Sequence, residues 1–384
     1  MSNVRFAIIG IGNMGTSHAK SLLANKVPGA ELVAVCDYDP ERHKRLPEVP
    51  AFNSPEALLQ ARVADAILIA TPHFDHTALG IAALEAGCHV LVEKPISVHK
   101  ADCERLIAAH TNKQQVFAAM FNQRTDPRYG KLREMIGGGQ LGRINRIQWT
   151  ITDWFRTAAY YASGGWRATW QGEGGGVLLN QCPHQLDLFQ WLFGMPQRVR
   201  AFCHYGKYHN IEVEDDVTAY LEYDDGCTGV FITTTGEAPG TNRLEIAAEN
   251  GKIVIEGKDF IFTRNRVPTS QHCAVSEKAF EKPETTVEKI QIDGQAAQHV
   301  GIMQNFVAAI SEGAELLAPA AEGIHSVELA NAMLYSSARG ETIELPLNAA
   351  AYEAHLKQLI ANSAFQKEPT TSTDAGSDDF AKSF

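Results

Sequence analysis

The chain has 384 residues, 45% of them hydrophobic and 21% charged, which is long enough for two cores and ordinary for globular proteins. A formal net charge of −11 argues against binding nucleic acid through a basic face. No apolar run reaches the roughly eighteen residues of a membrane-spanning helix, so neither nucleic acid nor membrane is an expected partner.

The opening MSNVRFAIIG enters a strand pattern without a basic leader or an apolar signal core, so a cytoplasmic protein is expected. Seven cysteines are scattered without CxxC spacing, which fits reduced thiols and no metal site. In chain order, RFAIIG, ELVAVCD, AILIATP, HVLVEKP and QVFAAMF read as strands separated by amphipathic stretches. That alternation predicts a parallel sheet with crossover helices over residues 1–122.

Between the first strand and its helix lies Gly10-x-Gly12-x-x-Gly15. Glycines permit a tight turn and close backbone approach to a pyrophosphate, and the helix N-terminus supplies donors and a favourable dipole. Gly10, Gly12, Asn13, Met14 and Gly15 are therefore the expected phosphate cradle. Asp37 closes the second strand, where a carboxylate accepts from ribose hydroxyls and repels a 2′-phosphate, so the expected cofactor is NAD rather than NADP. Arg42, Lys44 and Arg45 stand close enough to offset that repulsion. Thr71, Pro72, His73 and His76 leave the AILIATP strand at the end where open parallel sheets bind ligands, as cofactor contacts without chemistry of their own. Asn122 and Glu93 are further expected cofactor contacts. HVLVEKP itself is a buried strand that ends abruptly in Glu93, Lys94 and Pro95.

After Asn122 the texture changes. GRINRIQWTITDW, RVRAFCHY, DDVTAYLEY, CTGVFITTT, RLEIAAEN and KIVIEG alternate as antiparallel strands do, with helical patterns near 175–193 and again from about 298. A second domain is expected over 123–366, followed by a polar tail of weak periodicity at 367–384. Within a helix, Asn180, His184, Asp187 and Trp191 share one face, with Pro183 either kinking it or sitting in its first turn.

Gly10-x-Gly12-x-x-Gly15, Glu93-Lys94-Pro95 and the helix ending HQLDLFQWLFG occur in an order that resembles the Gfo/Idh/MocA oxidoreductases over nearly the whole chain apart from the tail. The resemblance implies an α/β protein, with an N-terminal Rossmann domain followed by an α/β domain carrying a large open, mostly antiparallel sheet. It implies NAD(P)-dependent oxidation or reduction of sugars, cyclitols and related alcohols, and a homo-oligomer, dimer or tetramer, built on that sheet. It also assigns the position of Lys94 to catalysis or substrate binding. If HVLVEKP ends beside the nicotinamide, the Lys94 ammonium can stabilise a developing alkoxide, while Glu93 helps hold the site and the nicotinamide ribose.

Removing hydride from a carbinol also requires removing its hydroxyl proton. A histidine, with an unperturbed pKa near about 6.5, suits that exchange, and His184 is the candidate base. Many family members carry an aspartate four residues before this histidine, whereas Asn180 can orient hydroxyls but cannot exchange a proton. Asp187 is expected to cap, pair or orient. Tyr161, Trp166 and Arg167, from the aromatic and glycine-rich stretch 152–176, are expected at the substrate together with Asn180, Lys94, His184 and Arg124. A structural loop or an oligomer contact is the competing account of that stretch. The expected activity is an NAD-dependent dehydrogenase of a sugar, anhydrosugar or cyclitol, a small polyhydroxylated substrate. Its rivals are a redox-neutral NAD-dependent glycosidase working by transient oxidation and elimination, and an NAD-bound sensor without turnover.

Overall fold

Strands β1 (Val4–Ile9), β2 (Ala30–Cys36), β3 (Ala51–Phe52), β4 (Ala66–Ile69), β5 (His89–Val92) and β6 (Phe117–Ala119) lie parallel in the order 3-2-1-4-5-6 in the computed structural model, which describes residues 3–367. All of β4, and β5 from Val90 onward, are buried because helices cover both faces of a parallel sheet. β3 has only two residues, too short for any periodic signal. The strand order reverses between β1 and β4, which opens a crevice at their C-terminal ends. Of the expected tail, Lys367 is described and 368–384 lie outside the described residues.

The second sheet contains β7 (Ile144–Ile151), β8 (Arg198–Tyr205), β9 (Glu214–Glu222), β10 (Thr228–Thr234), β11 (Asn242–Ala248), β12 (Gly251–Glu256), β13 (Asp259–Asn265), β14 (Thr285–Lys289) and β15 (Ile343–Glu344), ordered 14-13-12-11-7-10-9-8-15. Its pairings are antiparallel except β7 with β10, so the expected architecture holds with one parallel pair at its centre. The alternation has a simple cause: Ile147, Trp149 and Ile151 point into the core, against the side where the helices Pro183–Phe193 and Gly323–Arg339 pack. Phe202 and Tyr220 face the other way and are exposed.

The chain then returns to the first domain. Helix Gln298–Glu312 inserts Ile302, Met303, Phe306 and Val307 into the core of the parallel sheet, with the Phe306 ring edge-on to Phe6, 5.9 Å between centroids. Ala119 N–H donates to Ala318 at 2.9 Å, extending β6 onto the returning segment. The first core is thus completed by residues that the sequence pattern assigns to the second domain. A buried pair, Lys100 Nζ to Glu328 Oε1 at 2.7 Å, ties the two together, and Lys100 Nζ also donates to Leu347 O at 2.9 Å.

Candidate active site

The glycine loop is built for close approach. Gly10 has φ +89°, and a Cβ on it would lie 2.7 Å from the Ala70 carbonyl; one on Gly15 would lie 1.9 Å from the Gly10 carbonyl. Neither position admits a side chain. At Gly12 the nearest atom to such a Cβ is Arg42 Nη1, 4.0 Å away, so this glycine faces open space where a ligand can approach. The helix Asn13–Leu23, with Met14 and Gly15 in its first turn, starts without a side-chain cap, which leaves its N-terminal dipole directed at that space.

Asp37 Oδ2 accepts from Ile11 N–H at 2.9 Å and Oδ1 from Asp39 N–H at 3.0 Å. The carboxylate is thereby held against the glycine loop at the end of β2. Arg42 Nη1 approaches Oδ2 at 3.3 Å. Two buried oxygens along the crevice, Thr71 Oγ1 and Asn122 Oδ1, have no hydrogen-bond partner among the described residues, although Asn122 Nδ2 donates to Gln298 Oε1. A glycine cradle, an anchored carboxylate and orphaned acceptors together fit a dinucleotide.

At the end of β5, Lys94 Nζ crosses to the second domain and donates to the Asn180 main-chain carbonyl at 2.9 Å. Burial lowers its pKa below the usual lysine range; Glu93 pulls it back up, while Arg167 and Arg156 lower it further. Glu93 Oε1 pairs with His18 Nε2 at 2.7 Å and Oε2 accepts from Lys94 N–H at 3.1 Å. Burial alone would raise the Glu93 pKa, but the hydrogen bond and charge of His18, backed by His299 and Lys94, hold it at about 2. Glu93 therefore braces the backbone of Lys94 against the dinucleotide-side helix, with one oxygen committed to His18.

Pro183 occupies the first turn of Pro183–Phe193, so the helix begins after Asn180. His184, Asp187 and Trp191 keep a common face toward the Phe121–Arg124 segment, and Asn180, in the preceding turn, does not belong to it. His184 stands edge-on to Phe121, 6.2 Å between ring centroids, and neither of its nitrogens has a hydrogen-bond partner among the described residues. Burial, then the positive charges of Lys94 and His299, keep its pKa well below the histidine norm. It is a buried neutral imidazole with both nitrogens available, which is the state a proton acceptor needs.

Three expected contacts are corrected by their surroundings. The Arg124 guanidinium is fully buried, paired with Asp187 at 2.6 and 2.7 Å and with Glu322 at 2.5 Å, and donates to Leu317 O at 2.9 Å; its donors are committed to the fold, not to a substrate. Tyr161 is buried with its hydroxyl 2.8 Å from Thr235 Oγ1 and its ring on His209. One residue earlier, Tyr160 meets the site instead, its hydroxyl 3.3 Å from Asn180 Oδ1, because one step along a helix turns a side chain through about 100°. His76 sets its ring nitrogens against two main-chain carbonyls, Pro95 at 2.8 Å and Thr71 at 2.9 Å. Burial lowers its pKa, so the neutral ring donates to one of them, and both nitrogens face the exits of β4 and β5 rather than a cofactor.

His73, Trp166 and Arg167 form one cluster, with His73 and Arg167 within electrostatic reach of Lys94. The His73 ring packs edge-on to Trp166 at 5.2 Å and its Nδ1 lies 3.4 Å from the Glu173 carbonyl. Arg167 lies over the rings of Tyr160 and Trp166 and donates to Tyr160 Oη at 2.6 Å. Four participants were not foreseen: His18, His299, Tyr160 and Glu173. His18 had a legible signal, since it sits with Gly15, Ala19 and Leu22 on the buried face of its helix. His299 and Glu173 had none, because what positions them is tertiary.

Two family models cover most of the chain. One, described as an oxidoreductase family with an NAD-binding Rossmann fold, matches residues 4–121, and the GFO/IDH/MocA C-terminal domain matches residues 129–254. Among curated relatives, the myo-inositol 2-dehydrogenase of Thermotoga maritima is 26% identical over 65% of this chain and 74% of its own length. The inositol 2-dehydrogenase of Rhizobium meliloti is 24% identical over 89% of this chain and 99% of its own. The WlbA dehydrogenase of Bordetella pertussis, solved with NADH and UDP-GlcNAcA, superposes with a TM-score of 0.76 at 25% identity, covering 90% of this chain and 100% of that one.

Proposed function

The chain belongs to the Gfo/Idh/MocA oxidoreductases, whose N-terminal domain is an NAD-binding Rossmann fold, and from that premise we propose that it moves hydride between NAD and a hydroxyl-bearing ring carbon of a sugar, anhydrosugar or cyclitol. The observation that carries this reading is the pairing of Lys94, brought from the first domain, with an unpartnered neutral His184 from the second. A bound nicotinamide supplies the hydride acceptor. His184 takes the proton of the hydroxyl being oxidised, and Lys94 places an ammonium where the oxygen gains negative charge. Arg167 and Asn180 supply donors and acceptors to the remaining hydroxyls, Tyr160 holds both of them in place, and Trp166 supplies an apolar face.

Dehydrogenases of inositols and a nucleotide-sugar complex among the relatives support a cyclic polyol as the substrate class. The deciding experiment is a panel of sugars, anhydrosugars, glycosides and cyclitols with NAD and with NADP, followed by product analysis. Stoichiometric NADH from a free polyol is expected, with NAD preferred because Asp37 stands at the ribose end. Release of aglycone without net NADH would transfer the protein to the eliminating glycosidases. Absence of turnover across the panel, with NAD tightly bound, would make it a sensor. The exposed sheet face bearing Phe202 and Tyr220 supports a homo-oligomer, and sedimentation showing only monomer would reject it.

A further inference from the structure

Glu173 is 1% exposed, and its carboxylate receives two donors: Ala168 N–H at 2.7 Å on Oε2 and the Asn180 side-chain NH2 on Oε1. An ionised carboxylate can only accept, so the Asn180 amide must turn its NH2 toward Glu173 and its oxygen the other way. There Oδ1 meets the Tyr160 hydroxyl at 3.3 Å. That hydroxyl oxygen already accepts from Arg167 Nη1 at 2.6 Å and Gln181 Nε2 at 3.0 Å, which fills its lone pairs and leaves its proton for Asn180. Every bond in the series Arg167, Tyr160, Asn180, Glu173 therefore runs in one direction and ends on a buried charge. The main-chain carbonyl of the same Asn180 holds Lys94 Nζ.

We propose that Glu173 is a positioning residue that fixes the direction of this series, so that beside Lys94 the pocket presents Asn180 as a hydrogen-bond acceptor and selects a substrate whose neighbouring group is a donor, a hydroxyl rather than an ether or a carboxylate. The inference rests on the reading of Lys94 and His184 as the reacting pair. Glu173 is faced by Arg167 and Lys367 on the cationic side, by Glu214 on the anionic side, and by His73 at its main-chain carbonyl. Burial raises its pKa, and Arg167, the Ala168 amide, Asn180 and Lys367 oppose that rise.

The test compares wild type, E173Q, N180D and the double variant E173Q/N180D between pH 6 and pH 8, by kcat/KM with NAD and myo-inositol as probe, or the best polyol of the panel, and by thermal midpoint. N180D sets two carboxylates against each other, so one must hold a proton, and activity and midpoint should both fall as pH rises. A loss of about tenfold in kcat/KM between the two pH values is expected, the fall that follows when the shared proton leaves near about pH 7. In the double variant an amide again meets a carboxylate, and the pH dependence should disappear with most of the activity restored. E173Q alone, which lets either amide turn, should raise KM for the polyol and relax rejection of its O-methyl ether. Equal losses in N180D and the double variant, with no coupling in the midpoints, would overturn the proposal. Coupled midpoints in a protein that oxidises no polyol would support the Glu173–Asn180 orientation and refute the dehydrogenase reading instead.

Discussion

Lys94 Nζ lies 2.9 Å from the main-chain oxygen of Asn180, a bond that joins the end of β5 to the turn leading into the His184 helix. The ammonium and the imidazole are therefore carried on one frame although they come from different domains. Replacing Lys94 by alanine is expected to lower kcat by about 10²- to 10³-fold, the effect of losing one preorganised oxyanion donor. His184→Ala should lower it by about 10²- to 10⁴-fold, the loss of a general base. NAD affinity, followed by nucleotide fluorescence, should stay nearly unchanged in both. Full turnover in either variant would remove that residue from the mechanism.

The same pair sets the pH profile. His184 is held neutral to well below the ordinary histidine value of 6.5, and protonation removes the acceptor, so activity is lost only as pH falls below that value. Lys94 is lowered from 10.5, and deprotonation removes the cation, so activity is lost as pH rises before 10.5 is reached. The free-enzyme kcat/KM profile should be a bell with both limbs displaced downward. An acid limb at or above 6.5 that survives in His184→Ala would contradict this assignment.

Tyr160 and Tyr161 are adjacent but belong to different environments. Tyr160→Phe deletes the acceptor of Arg167 and Gln181 and the donor to Asn180, so KM for the polyol should rise. Tyr161→Phe loses one buried bond to Thr235, which is worth about 1 kcal/mol of stability, and should leave KM alone. Steady-state kinetics and chemical denaturation separate the two. The reverse pattern would mean that Tyr161 is the substrate contact after all.

Asp187→Ala would strand the Arg124 guanidinium, fully buried, with Glu322 as its remaining carboxylate. Breaking a buried pair from one side costs about 3–5 kcal/mol, and urea unfolding should register it. A change below about 1 kcal/mol would show that the site relaxes to admit water.

Glu214 is buried, and burial raises its pKa to about 7 against the pull of the Leu178 and Gly176 amides it accepts from. Its folded pKa exceeds the unfolded value of 4.5, so the native state binds the extra proton between those limits and its contribution to stability falls as pH rises from about 4.5 to about 7. The total is roughly 3 kcal/mol. Glu93 acts in the opposite sense, favouring the fold above 4.5 and losing that effect as pH falls toward 2. Thermal midpoints of Glu214→Gln against wild type over pH 5–8 should show the flatter curve in the variant; parallel curves would exclude Glu214 as the source.

The parallel sheet, the glycine cradle and the second sheet were legible because each rests on local periodicity or on a backbone conformation that only glycine adopts. The positions of Lys94 and His184 were legible as a strand end and a helix start, while the roles expected of them rested on the family resemblance. What sequence could not supply was rotation and distance. Tyr161 was favoured over Tyr160 because nothing local shows which side of a five-residue helix faces inward. Arg124 looked like a free cation until Asp187 and Glu322, remote in the chain, closed around it. Glu173 has no local signal, since its role exists only once Asn180 and the 158–173 strap are folded together.

Because Phe306 and its helix are inserted against Phe6, the nucleotide lobe is unfinished while the ribosome is still translating the second sheet. Its greasy flank must wait, exposed or shielded by a chaperone, until that late helix emerges from the exit tunnel. Nascent chains stalled before Gln298 has left the tunnel should be digested readily by protease within the first lobe, and those stalled after Leu317 has emerged should resist. The cofactor cleft, encoded first, is then completed among the last.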